Sequence, residues 1–191
     1  MRVSLIQLGV WTGCAVLAAS IALAADSGAV SGPDKYRLKV PGGLAVSEFK
    51  GYEGWQVVAL SHSEKAVAII LANPTMIKAY QAGIPENGKP FPNGSKMAKI
   101  HWTPRMSEKA PGPTTVPGTL LNADFMEKDG KRFADSGGWG WGAFEYDAAS
   151  NTWRIANETD NPPQAHDAKC GFQCHTRVQS RDYVFTEYAK R

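Results

Sequence analysis

Two of the 3 Cys and one of the 4 His in this chain fall within six residues, in Lys169-Cys170-Gly171-Phe172-Gln173-Cys174-His175. A Cys followed directly by His, with a second Cys just upstream, is the arrangement by which c-type haem is attached. The two thiols add across the vinyl groups, and the adjacent imidazole ligates iron from below the ring. The usual spacing has two residues between the cysteines, whereas Gly171, Phe172 and Gln173 make three here. The Cys174-His175 step is unaltered, so the axial geometry is preserved and the extra residue bears on how Cys170 reaches its vinyl. Three other chemistries fit the same residues. One helical turn brings Cys170 and Cys174 within about 6 Å in Cα, a span a disulfide accepts. His166, Cys170, Cys174 and His175 together make a four-ligand set suited to zinc. Two uninvolved thiols are the third.

The start of the chain says where such chemistry would take place. Met1-Arg2 is positive, no charge follows from Val3 to Leu23, and Ala22-Leu23-Ala24 has the small-x-small pattern of a secretory cleavage site. A membrane anchor needs about 20 apolar residues, and Gly9, Thr12, Gly13 and Ser20 dilute this run. We therefore read residues 1–24 as a signal peptide that directs export to the periplasm and leaves no membrane span after processing. Cleavage would leave 167 residues and, of the cysteines, only Cys170 and Cys174. Two Cys are too few for a disulfide scaffold, so the stability of one modest domain must come from its core. The 21 basic and 18 acidic residues give a net charge of +3, scattered along the chain. That excludes a nucleic-acid footprint.

The elements that must position the Cys-His stretch can be read in order. Residues 25–35 read as a flexible leader before a domain spanning 36–191. Trp55–Leu60 and Ala66–Ala72 read as strands, the second apolar on both faces and hence central. Asn73-Pro74 opens a helix, Asn as N-cap and Pro at the first helical position, and Gly83 closes it. Residues 84–94 form a loop with a turn at Asn93-Gly94, and a strand follows over Lys96–Thr103. A polar, proline-rich loop is expected over Pro104–Gly118, with strands over Thr119–Met126, Gly137–Tyr146 and Thr152–Ala156. Short strands joined by turns, with few helices, make an α+β domain on a predominantly antiparallel sheet.

Taken together, these residues resemble the cytochrome P-460 family of periplasmic c-type haem proteins, which includes the related cytochromes c′-beta. The matches run in order: Tyr52-x-x-Trp55; Asn73-Pro74 opening a helix that carries Tyr80 and ends at Gly83; Phe91-Pro-Asn-Gly94 before a strand with Lys99; Arg132-Phe-Ala134; the Gly-Trp-rich strand ending Phe144-Glu-Tyr146; Cys174-His175; and Asp182-Tyr-Val-Phe-Thr186. The three-residue Cys gap departs from the family pattern. The resemblance implies haem c packed against the sheet, with His175 as the iron ligand and Cys174 and Cys170 as thioether anchors. It also implies a lysine joined covalently to the macrocycle, a chromophore that oxidises hydroxylamine. The matching residue is Lys99, favoured over Lys96, although in the alternation of its strand Lys99 could equally be a solvated side chain opposite the 98/100/102 core face.

Glu145, on the face shared with Trp141 and Ala143, is the candidate for proton transfer at the distal position; an edge-strand charge is the competing reading. His62, His101 and His166 read as surface or core histidines. The implied partners are a small nitrogenous substrate, hydroxylamine or nitric oxide, and a small redox protein that takes the electrons; the family's usual homodimer is the expected assembly. A non-catalytic nitric-oxide binder of the c′-beta kind, and a zinc or disulfide protein without haem, are the alternatives.

Overall fold

The apolar, β-branched run Val67-Ala-Ile-Ile-Leu-Ala72 has no polar face to offer water, and it lies inside a sheet. In the computed structural model, which describes residues 30–40, 43–156 and 171–190, that strand belongs to a seven-stranded antiparallel sheet. The strands are β1 (Val30–Ser31), β2 (Gln56–His62), β3 (Val67–Ala72), β4 (Lys96–Met106), β5 (Thr115–Lys128), β6 (Trp139–Asp147) and β7 (Thr152–Ile155). Their order across the sheet is β1-β7-β6-β5-β4-β3-β2. From β2 to β7 every strand pairs with its neighbour in sequence, so the sheet is a meander. With one short helix, α1 (Pro74–Gln81), and several 3-10 turns, the class is α+β and mostly sheet.

The helix starts as its sequence requires. Asn73 Oδ1 accepts the Met76 N–H at 3.1 Å, Pro74 takes the first helical position, and Gly83 follows the end with φ 82°. Two regions differ from the sequence reading. β4 and β5 run on through most of the expected loop, pairing Pro104 with Pro117 and Met106 with Thr115, so only residues 107–114 connect them. The prolines face each other across the ladder, and the register shifts just before them, between Trp102 and Pro104. The leader expected over 25–35 is ordered from Val30, which pairs with Trp153 on β7 and leads into a 3-10 helix over Gly32–Arg37. Residues 1–24 and 25–29 lie outside the described residues. Among the described residues no helix is long and apolar enough to cross a membrane.

Both faces of the sheet are covered. One carries Phe49, Tyr52, Ala98, Ala123, Phe125 and Phe144, all at most 3% exposed. The rings of Phe49, Tyr52 and Phe144 meet Phe125 at 4.5, 5.1 and 5.8 Å between centroids. The other face holds Met97, Met126, Trp139 and Trp141, with α1 and the C-terminal segment packed over them. That segment is tied down by Tyr80 Oη donating to the Thr186 carbonyl, by Gln56 donating to Tyr188, and by Tyr80 stacked on Tyr188. It therefore returns across β2 and β3, and this places His175 and Phe185 against the sheet.

Candidate functional site

Antiparallel pairing sets directly opposed residues on the same face, so the register defines the floor of a site. Lys99 lies between Ile70 on β3 and Asp124 on β5, and Asp124 faces Ala143 on β6. One row away, Met97, Met126 and Trp141 line up; on the other side, His101, Asn122 and Glu145 do. The C-terminal segment closes over this floor. Residues 171–175 form a helical turn, continued as a 3-10 helix over Thr176–Arg181, and His175 stands at the junction.

Two adjoining cavities result. One, of about 170 Å³, is lined by Ile70, Met97, Lys99, Asp124, Trp141 and His175 among others. The second, of about 520 Å³ and more open, shares Ile70, Lys99, His175 and Thr186 and adds Leu60 and Phe185. The His175 ring is held between Trp141 and Phe185, at 5.5 and 4.9 Å between centroids. Its Nδ1 lies 2.5 Å from the Tyr183 carbonyl, which makes Nδ1 the protonated nitrogen and leaves Nε2 as the free lone pair. Burial disfavours the imidazolium, and the nearby Lys99 charge adds to this; together they outweigh the Tyr183 carbonyl and Asp124, so the pKa falls below the ordinary 6.5. The ring is held neutral, the form that ligates a metal.

Lys96 and Lys99 are separated by the pleat. Lys96 Nζ donates to the Glu48 carbonyl at 2.8 Å, pairs with Glu127 at 3.2 Å and lies over the Phe49 ring. Lys99 is half-buried on the other face, and its amine has no hydrogen-bond or ion-pair partner among the described residues. Asp124, which the sequence reading did not single out, is the carboxylate beside it. Asn122 Nδ2 donates to its Oδ1 at 2.8 Å, and His101 Nε2 lies 3.0 Å from Oδ2, close but not aligned as a hydrogen bond. Polar residues at 122 and 124 within the apolar stretch Leu120–Met126 were the available signal; that Asp124 faces Lys99 depends on register. Glu145 shares this face but is bound by Arg154 on β7, and it lines neither cavity. His62 is exposed at the end of β2.

Cys174 is exposed at the rim and makes no disulfide among the described residues. Cys170 and His166 lie outside the described residues, and with them the zinc set and the Cys170–Cys174 pairing. Gly171 answers a local need: a Cβ there would overlap the Trp141 side chain. Of the three residues between the cysteines, Phe172 packs on Trp141 and Tyr183, so the longer Cys gap carries an apolar anchor.

These residues fit a haem. Around His175 are the exposed thiol of the preceding residue, the Trp141 ring with its N–H buried without an acceptor, and apolar side chains left open to water, Leu60 at 74% and Phe185 at 48% exposure. A flat apolar macrocycle would cover the last two. The sequence profile of the family described as Cytochrome P460 matches residues 49–186, most of the chain. The protein belongs to the cytochrome P460 family of c-type haem proteins. Compared with curated proteins, the chain matches none.

Proposed function

We propose that this protein is a periplasmic cytochrome that oxidises hydroxylamine at a five-coordinate haem c. His175 Nε2 is the iron ligand, and Cys174, with Cys170, is the thioether anchor. Lys99 Nζ would be the group to join the macrocycle: an N–C bond would replace an amine N–H and a ring C–H, with the two protons and two electrons taken up by a peroxide, which is reduced to water. The observation that carries this reading is the presence of Lys99 and His175 in the same two cavities, the first from the sheet and the second from the C-terminal segment. An unpaired amine there has no structural task, in contrast to Lys96.

When bound, haem supplies an iron position that takes up the nitrogen compound and passes its electrons on to a small redox protein. The chain's own residues do the rest. The Tyr183 carbonyl orients the imidazole. Ile70, Met97 and Trp141 keep bulk water from one wall of the cavity. Hydroxylamine loses protons as it loses electrons, and Asp124 is the carboxylate lining the cavity to receive them. Asn122 holds its Oδ1, and His101 lies beside Oδ2 on the outward path. Glu145, engaged by Arg154, then acts one row away and not at the reacting atoms.

The test is intact mass and the ferrous optical spectrum of protein matured with c-haem machinery. The expected result is one added haem that survives denaturation, and a red-displaced ferrous Soret band that Lys99→Ala returns to its ordinary position. An ordinary parent spectrum, with no hydroxylamine-dependent reduction of an acceptor, would leave a nitric-oxide-binding haem protein. A chain without added haem mass would overturn the haem reading.

A further inference from the structure

Lys128 and Asp182 form a buried ion pair that touches neither cavity, and the backbone after it reaches His175. Lys128, at the end of β5, donates to Asp182 Oδ1 at 2.6 Å and to the Gly137 carbonyl at 2.9 Å, with its ammonium over the Trp139 ring. The two side chains are 10% and 11% exposed. The other carboxylate oxygen, Oδ2, accepts the Phe91 N–H at 2.7 Å. Asp182 is thus fastened to two segments distant in sequence.

Its backbone is unusual. Asp182 has φ 51° and Tyr183 φ 64°, two consecutive residues other than glycine in the left-handed region. L-residues avoid that region, and a bulky aromatic residue avoids it more than aspartate does, so the conformation persists only where the surroundings over-determine it. Here they do. The Tyr183 ring packs against Gly137, where a Cβ would overlap it, and the Tyr183 N–H donates to the Val178 carbonyl at 3.1 Å. The product of this turn is one aimed group, the Tyr183 carbonyl, 2.5 Å from His175 Nδ1.

We propose that Lys128 and Asp182 are positioning residues for His175: the ion pair holds the left-handed Asp182-Tyr183 turn, and the turn fixes the tautomer, orientation and donor strength of the imidazole. The inference rests on the reading of His175 as the iron ligand. Outer partners of ligating histidines act in this way generally, and losing one weakens the ligand's basicity. Asparagine tolerates the left-handed region and its single amide oxygen can still accept from Lys128 or from the Phe91 N–H; alanine does neither.

The experiment is resonance Raman and redox titration of the haem-loaded protein. A ferrous iron–histidine stretching band that His175→Gly abolishes must first be present in the parent; its absence would remove the ligand reading and this inference with it. Given that band, Asp182→Ala and Lys128→Met should lower and broaden it and raise the midpoint potential, while Asp182→Asn keeps most of the parent position. Should the single variants fail to mature, the double variant Lys128→Met/Asp182→Asn, which leaves no unpaired buried charge, carries the same expectation of a lowered band. An unshifted band and potential in folded variants would overturn the proposal while leaving the ligand reading intact.

Discussion

The two faces of β4 put lysines three residues apart to opposite uses. On the 96/98/100 face, Lys96 is saturated by Glu127 and the Glu48 carbonyl above a ring cluster of Phe49, Phe125 and Phe144. On the 97/99/101 face, Lys99 has no partner among the described residues and shares its cavities with His175. The first face is closed and stabilises the fold. The second is left incompletely packed, with apolar groups open at its rim. Chemistry requires a group whose bonding is unfinished, and of the two lysines only Lys99 is such a group among the described residues.

The comparison can be broken most sharply at Asp124. Asp124→Asn should lower kcat for hydroxylamine by about 10²–10⁴-fold with KM little changed, the usual range for a lost proton acceptor. Glu145→Gln should change kcat by less than about 3-fold, because that carboxylate is committed to Arg154. Steady-state kinetics with an artificial electron acceptor separates the two, and a loss confined to Glu145→Gln would return the proton role to Glu145. On the closed face the effect is on stability. Phe144→Ala, at a fully buried ring, should cost about 3–5 kcal/mol in denaturant unfolding. Lys99→Ala removes no hydrogen bond or ion pair within the described residues, so a loss in unfolding beyond about 0.5 kcal/mol would report the bond to the macrocycle.

The lysines themselves give the third contrast. Lys96→Met should destabilise by about 1–3 kcal/mol, since it leaves the half-buried Glu127 carboxylate without its cation. It should not alter the optical spectrum, which Lys99→Ala should. The smallest effect is at Glu48. Burial opposes its charge, but hydrogen bonds from Arg132 and the Ala45 N–H outweigh this and hold its pKa below the ordinary 4.5. A lowered carboxylate pKa contributes stability above pH 4.5 and loses it as pH falls through the folded-state value. Glu48→Gln should therefore cost about 1 kcal/mol or less at neutral pH, with the difference vanishing in acid, as measured by unfolding across a pH series.

Local signals were strong enough to read the helix at Asn73-Pro74, the glycine at its end and the central strand at Val67–Ala72, because each depends on neighbours in the chain. The extent of β4 and β5 was not legible, since prolines at 104 and 117 read as loop, and only the pairing of the two strands sets them opposite each other. The Cys174-His175 pair was legible as a candidate ligand set, and Lys99 as a candidate through order along the chain. Asp124 was not: its importance is a cross-strand relation to Lys99, and pairing partners are not written in either strand alone.

Residue type and local spacing alone determined which groups could bind haem, where the helix begins, and that the sheet is antiparallel. The tertiary structure decided that Lys99 and not Lys96 faces His175, that Asp124 and not Glu145 lines the cavity, and that a backbone carbonyl at Tyr183 holds the imidazole. These depend on strand register and on the return of the C-terminal segment, which are set by burying two sheet faces at once. That is a property of the whole chain, and no short stretch of it carries the information.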